Sequence, residues 1–442
     1  MPGRAMLPLL ASALVAASNA APLNFDDYCA AFGRSYAGEE YAERRALYEE
    51  RLALHAELNA RPRATWTAGP GPMTDLRAEE MRRYFGYAGR GGEGAPEGGF
   101  EAMAAKEEGG PLPQSVDWRD YTPSIVPEVR DQGGCGSCWA FSAVATIESA
   151  VAKASGGTML RLSPQQLTSC TPNPRKCGGS GGCTGATAQL AYNYTLMKGI
   201  ADLQVAPYTS GMTAKTGACK AHYPPAAGIT GFVQVPLNDG RALLRAVAMQ
   251  GLISVSVDAS NWFLYDSGVF DGCTKEIMTP NHAVTLVGYG KEGAVKYWLI
   301  QNSWSTDFGE EGYIRLRRYD EEPCGLNDQP QLNSGCEGGP PSVTVCGECG
   351  VLSDSSYPTG PKLGAPQGPP DDPAINKSSA QRLFEVPMLP ATKPAPSSSS
   401  SSALAVAMVG LASVVAGLAI RARRGRSSGA MEVPLQSDDE EA

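Results

Sequence analysis

The stretch Gln132-Gly133-Gly134-Cys135-Gly136-Ser137-Cys138-Trp139-Ala140-Phe141 decides how the chain is read. Cys138 opens a predicted helix. Its apolar positions Phe141, Val144, Ile147 and Val151, with Glu148 as one polar slot, recur at helical spacing, and Gly156-Gly157 ends it. Ser137 stands at the capping position. A thiol at the first turn of a helix feels the positive end of the helix dipole, which favours the thiolate, and the thiolate is the nucleophile.

A nucleophilic Cys needs a base, and the chain holds three His. His55 lies in a front segment expected to be removed. His222 sits in a loop beside Pro224-Pro225. His282 stands just before the β-rich run Ala283-Val284-Thr285-Leu286-Val287-Gly288, where a strand end holds it rigidly. An imidazole base needs an orienting partner to fix its tautomer. Asn302, at the end of the next β-rich run, fits that role, with Trp304 two residues on to shield the bond from water. Acyl transfer also needs donors for an oxyanion. The Cys138 backbone N–H and the Gln132 side-chain amide supply them.

These residues resemble the papain-like cysteine peptidases, in particular the cathepsin L-like branch. The Cys-Gly-Ser-Cys-Trp pattern with a distant His and Asn is characteristic of that family. The resemblance spans about Leu112 to Tyr357. It implies Cys138 as nucleophile, His282 as its partner, Asn302 as orienter, Gln132 in the oxyanion hole and Trp304 as cover. It implies an α+β fold of two lobes, one helical and one β-barrel-like, with the active site between them. The residues read the same way: helical patterns from Cys138 to Gly156-Gly157, from Ser163-Pro164 onward and over 184–198 precede β-rich runs at 253–257, 283–289, 297–300 and 313–316. The S2 pocket, which takes the residue two before the cleaved bond, is expected from Thr187, Ala188, Pro280 and Ala283, beside Gly185 and Ala186.

The resemblance also implies the disulfides Cys135–Cys183, Cys170–Cys219 and Cys273–Cys324. Here the chain departs from the family pattern. Cys349-Gly-Val-Leu-Ser-Asp-Ser-Ser-Tyr357-Pro358 also looks like the family's terminal segment, so an insertion is expected at about 328–349. If Cys349 marks that segment, Asp354 falls at the base of S2; if Cys324 does, Gln329 falls there. A surface-loop position for Asp354 is the simpler reading. Cys177, Cys336, Cys346 and Cys349 are left without assigned partners, and Cys29 is the candidate for an unpaired thiol.

Residues 21–88 resemble the same family's inhibitory propeptide. Glu40, Arg44, Tyr48, Arg51, His55 and Asn59 line one helical face. Gly69-Pro-Gly71-Pro-Met73-Thr-Asp75 is a degraded second motif. Residues 89–111 are Gly-rich and read as the linker cut on activation.

With 442 residues the chain is long enough for two or three units. A net charge of −9 argues against a nucleic-acid partner. The 12 Cys imply disulfides if the chain is secreted. The apolar run Met6–Ala17, followed by Ser18-Asn19-Ala20, reads as a signal peptide over 1–20. Residues 358–402 are Pro- and Ser-rich and read as a stalk. The apolar run 403–420, followed by Arg421, Arg423, Arg424 and Arg426, reads as a single membrane-spanning helix with a cytosolic tail at 421–442. The expectation is a type I membrane protein of the secretory pathway, in a lysosome, vacuole or cell surface. Asn193 and Asn376 head glycosylation sequons.

Four other readings fit less. A redox Cys135-x-x-Cys138 pair leaves Gln132, His282 and Asn302 unexplained. A zinc site at Cys346-x-x-Cys349 lacks a second pair. An inactive binding module would lack Cys138 or His282. An exopeptidase needs a cleft-blocking segment, and no His lies between 170 and 190 to mark one. The expectation is therefore a monomeric cysteine endopeptidase acting on proteins and peptides, made as a zymogen, with its own propeptide as inhibitor, no cofactor and no metal.

Overall fold

The computed structural model describes residues 24–86, 111–332 and 335–364. The expected signal peptide, the linker over 89–110, most of the stalk with Asn376, the apolar segment 403–420 and the tail lie outside the described residues. Among the described residues no helix is long and apolar enough to cross a membrane. The expected type I single-pass placement is corrected on that ground.

Helix α1 (Phe25–Ala31) and the long α2 (Gly38–Asn59) make a front unit. Phe25, Tyr28 and Tyr48 form its small core. The strand β1 (Trp66–Ala68) then leaves this unit and pairs antiparallel with β4 (Tyr265–Phe270), Trp66 opposite Gly268. Trp66, Met73, Leu76 and Met81 sink into the core of the strand-rich lobe. Docking is therefore both a strand addition and an apolar burial.

The helical lobe is built on α3 (Cys138–Ser155), with α4 (Pro164–Cys170) and α5 (Ala188–Lys198) against it. Trp139, Val144, Ile147 and Val151 meet Leu162, Leu167 and Tyr192 in its core. Gly156 ends α3 in the left-handed conformation, φ +72°. Ser163 caps α4, its hydroxyl accepting the Gln166 N–H at 3.0 Å. The helix expected over 184–198 starts only at Ala188. Gly185 takes φ +98°, which breaks a helix, and Thr187 caps the start.

The strand-rich lobe is one sheet. Its strands are β2 (Gly231–Gln234), β3 (Ile253–Val257), β4, β5 (His282–Glu292), β6 (Val295–Gln301), β7 (Tyr313–Arg318) and β10 (Ser355–Thr359). The order is β1-β4-β7-β6-β5-β3-β10-β2. β3 is buried along its whole length, so its alternating Ser are buried too. Helix α6 (Gly240–Gln250) packs on β5 and β3. Between β7 and β10 lies a separate hairpin, β8 (Cys324–Asn327) with β9 (Val343–Cys346).

Cys135–Cys183 and Cys170–Cys219 are disulfides. Cys273 pairs with Cys349, not with the expected Cys324, which pairs with Cys346 across the hairpin. The hairpin places Cys324 opposite Cys346 in register, which leaves Cys349 for Cys273. Cys177 pairs with Cys336. Cys29 and Cys138 are free. Asn193 is half-buried on α5, and Thr195 of its sequon is fully buried.

Candidate active site

The cleft lies where the start of α3 meets the start of β5. The Ala283 N–H donates to Cys138 Sγ at 3.2 Å, tying the helix end of one lobe to the strand end of the other. Ser142, one turn along α3, fastens the same seam by donating to the Val284 carbonyl at 2.7 Å. Ser137 does not cap α3. Its hydroxyl pairs with the Tyr208 hydroxyl at 2.7 Å instead.

His282 is fully buried. Its Nε2 is 2.8 Å from Asn302 Oδ1, which makes Nε2 the protonated nitrogen, because a carbonyl oxygen only accepts. Nδ1 is left without a hydrogen-bond partner. The Trp304 ring stacks on the imidazole, centroids 4.6 Å apart at 27°. Asn302 Oδ1 also accepts the Ser303 N–H at 2.8 Å, so its amide has one orientation.

Gln132 is buried and held at three points. Its N–H donates to the Ser303 carbonyl at 2.9 Å, its Oε1 accepts from Ser303 Oγ at 2.7 Å, and its own carbonyl accepts from the Tyr208 hydroxyl at 2.8 Å. That leaves Nε2 aimed into the cleft, 2.9 Å from the Tyr84 carbonyl of the front unit. Glu148, the polar slot of α3, supports the same arm. It binds Arg130 at 2.8 Å and the Leu162 N–H at 2.6 Å, and burial pushes its carboxyl up to about 7.

The front unit fills the cleft. Tyr84 and Phe85 pack against Trp304. Gly86 follows so closely over Cys138 that a Cβ on it would fall 2.1 Å from Sγ. Both titrating groups are neutral in this state. Burial pushes the Cys138 thiol up to about 12, and burial lowers His282 to about 4, with Asn302 opposing. A dry site opposes both halves of a thiolate–imidazolium pair.

Gly185 sits at the cleft wall, 2.1 Å separating a Cβ on it from the Gly86 carbonyl. Ala186, Thr187, Ala188, Pro280 and Ala283 are buried. Asp354 is not a surface-loop residue. It is 7% exposed and accepts from Gln189 Nε2 at 2.6 Å and Ser256 Oγ at 2.8 Å. Burial raises its pKa. Gln329 is exposed. Ser303 and Tyr208 are absent from the sequence reading. Ser303 adjoins Asn302, but nothing in the sequence points to Tyr208.

Over residues 112–334 the sequence matches the papain family cysteine protease domain, and over 25–81 the cathepsin propeptide inhibitor domain. It is 33% identical to fruit bromelain of Ananas comosus, across 66% of this chain and 80% of that protein. It is 40% identical to cathepsin S of Mus musculus, across 49% and 62%. The structure is similar to digestive procathepsin L 3 of Tenebrio molitor larval midgut, TM-score 0.59 at 27% identity, covering 76% of this chain and 97% of that one. With its thiol, imidazole and occupied cleft in one arrangement, the chain belongs to the papain family of cysteine proteases and carries that family's inhibitory propeptide as a zymogen.

Proposed function

We propose that the chain is a cysteine endopeptidase with Cys138 as nucleophile, His282 as acid–base partner, Asn302 as orienter and Gln132 as oxyanion donor. The observation that carries this is the His282 Nε2–Asn302 Oδ1 bond at 2.8 Å, which leaves Nδ1 as the basic nitrogen, on the residue before Ala283, whose N–H binds the Cys138 thiol. Once the propeptide strand leaves, water and substrate enter and the burial penalty on both charged forms falls. Cys138 passes its proton to His282 Nδ1, and the thiolate attacks the peptide carbonyl carbon. The oxygen, now negative, takes hydrogen bonds from the Cys138 N–H and from Gln132 Nε2, which here donates to the Tyr84 carbonyl. His282 gives the proton to the departing amine, leaving a thioester. It then takes a proton from water, whose oxygen attacks the thioester carbon, and the thiol leaves with that proton restored.

Gly185, Ala186, Thr187, Ala188, Pro280, Ala283 and Asp354 line the substrate side in this reading. Asp354, at the inner end of S2, favours a basic residue at P2. Cutting within the Gly-rich 89–111 segment frees the enzyme. The test is a thiol-directed epoxide on the activated protein: one adduct on Cys138 with loss of peptide hydrolysis supports the reading, and hydrolysis that survives the adduct overturns it.

A further inference from the structure

Four glycines in five residues, Gly178-Gly179-Ser180-Gly181-Gly182, lead straight into the cleft wall. A chain of this composition has the most backbone freedom to lose on ordering. It is a poor support taken alone, yet it meets Gly185 directly. A Cβ on Gly185 would lie 2.1 Å from the Gly178 carbonyl on one side and 2.1 Å from the Gly86 carbonyl, in the cleft, on the other. One end of this glycine run is held by Cys183–Cys135.

The other end is held from the opposite lobe. Cys177 is bonded to Cys336 of the segment between β8 and β9. The Gly178 N–H donates to the Gly335 carbonyl at 2.9 Å, the Glu337 N–H donates to the Arg175 carbonyl at 2.8 Å, and Lys176 pairs with Glu337 at 3.1 Å. The base of that segment stands on the strand-rich lobe. The Leu326 N–H donates to the Glu276 carbonyl at 2.9 Å, and the Met278 N–H to the Leu326 carbonyl at 3.0 Å. That loop runs on to Pro280 and His282. Cys324–Cys346 closes the base. The insertion is thus anchored on both lobes at the S2 end of the cleft.

We propose that this insertion is a strap that fixes the Gly178–Gly185 wall and so sets recognition of substrate residues beyond P2, through the Cys177–Cys336 bond. The proposal rests on the peptidase reading above. With the strap intact, the wall is in place before substrate arrives, and the ordering cost of the glycine run is not charged against binding. With it cut, only substrates long enough to cross that wall lose affinity.

Two variants test this. One is Cys177→Ser with Cys336→Ser. The other carries Cys177→Ser and replaces residues 328–342 by Asn-Gly, a two-residue turn that keeps the β8–β9 pair. Each is activated and its active sites counted with the epoxide. Each is then assayed on a fluorogenic Leu-Arg amide and on the same amide extended by two residues. The expected result is that kcat/KM for the extended substrate, relative to the short one, falls about tenfold in both variants through KM. A ratio unchanged in either counted variant, or a lower KM for the extended substrate, overturns the strap. A native protein that cleaves neither substrate and takes no epoxide overturns the peptidase reading itself.

Discussion

Gly86 lies over Cys138 with no room for a side chain: a Cβ there would sit 2.1 Å from Sγ. The front unit and the Cys138 thiol are matched at one residue. Gly86→Ala forces the strand off the thiol at a cost of about 2 kcal/mol, or about 30-fold. The inhibition constant of the isolated propeptide, added to mature enzyme, is expected to rise by that factor.

Docking also responds to acid, through His55. Its ring is buried with neither nitrogen bonded. Burial lowers its pKa to about 4, helped by Arg51 on α2 and opposed by Asp266 on β4. The docked form binds the proton more weakly than the free propeptide does. The contribution is complete above about pH 6.5 and is lost as pH falls toward 4, about 3 kcal/mol in all. Glu80, held down to about 2 first by its bond to Arg44 of the same front unit, stabilises that unit's own fold above its ordinary value of 4.5, a contribution lost as pH falls toward 2. His55→Leu is expected to flatten the loss of propeptide affinity between pH 6.5 and 4. An unchanged slope contradicts this.

In the proposed mechanism, Gln132→Ala removes a side-chain donor to the oxyanion. A fall in kcat of about 100- to 1,000-fold with little change in KM is expected. Ser303→Ala leaves that donor in place but frees its amide, so about a tenfold fall in kcat is expected, restored by Ser303→Thr. Steady-state kinetics on titrated enzyme separates the two.

Asp354→Ser leaves a hydroxyl within reach of Gln189 and Ser256 and removes the charge. The preference for Arg over Leu at P2 is expected to fall about tenfold. Equal ratios in the two enzymes rule Asp354 out of S2.

Much of the site was legible because its chemistry is local. Cys138 announces a helix start, and His282 and Asn302 end or begin apolar runs that become β5 and β6. The partner of Cys273 was not legible, because Cys324 and Cys349 both suit the family spacing and only the β8–β9 register separates them. Tyr208 reaches Gln132 from a loop far along the chain, and no local pattern carries such a contact. The 184–187 segment looked helical by composition, but Gly185 there serves the cleft wall rather than a helix.

In the proposed mechanism Cys138 is the nucleophile, and the propeptide alone keeps it idle. Intact mass of the chain, with the epoxide added before and after acidic, reducing incubation, tests it most directly. No adduct is expected before incubation, then loss of the segment ahead of about residue 111 together with one adduct on Cys138. An adduct on the unprocessed chain, or a processed chain that takes none, contradicts it.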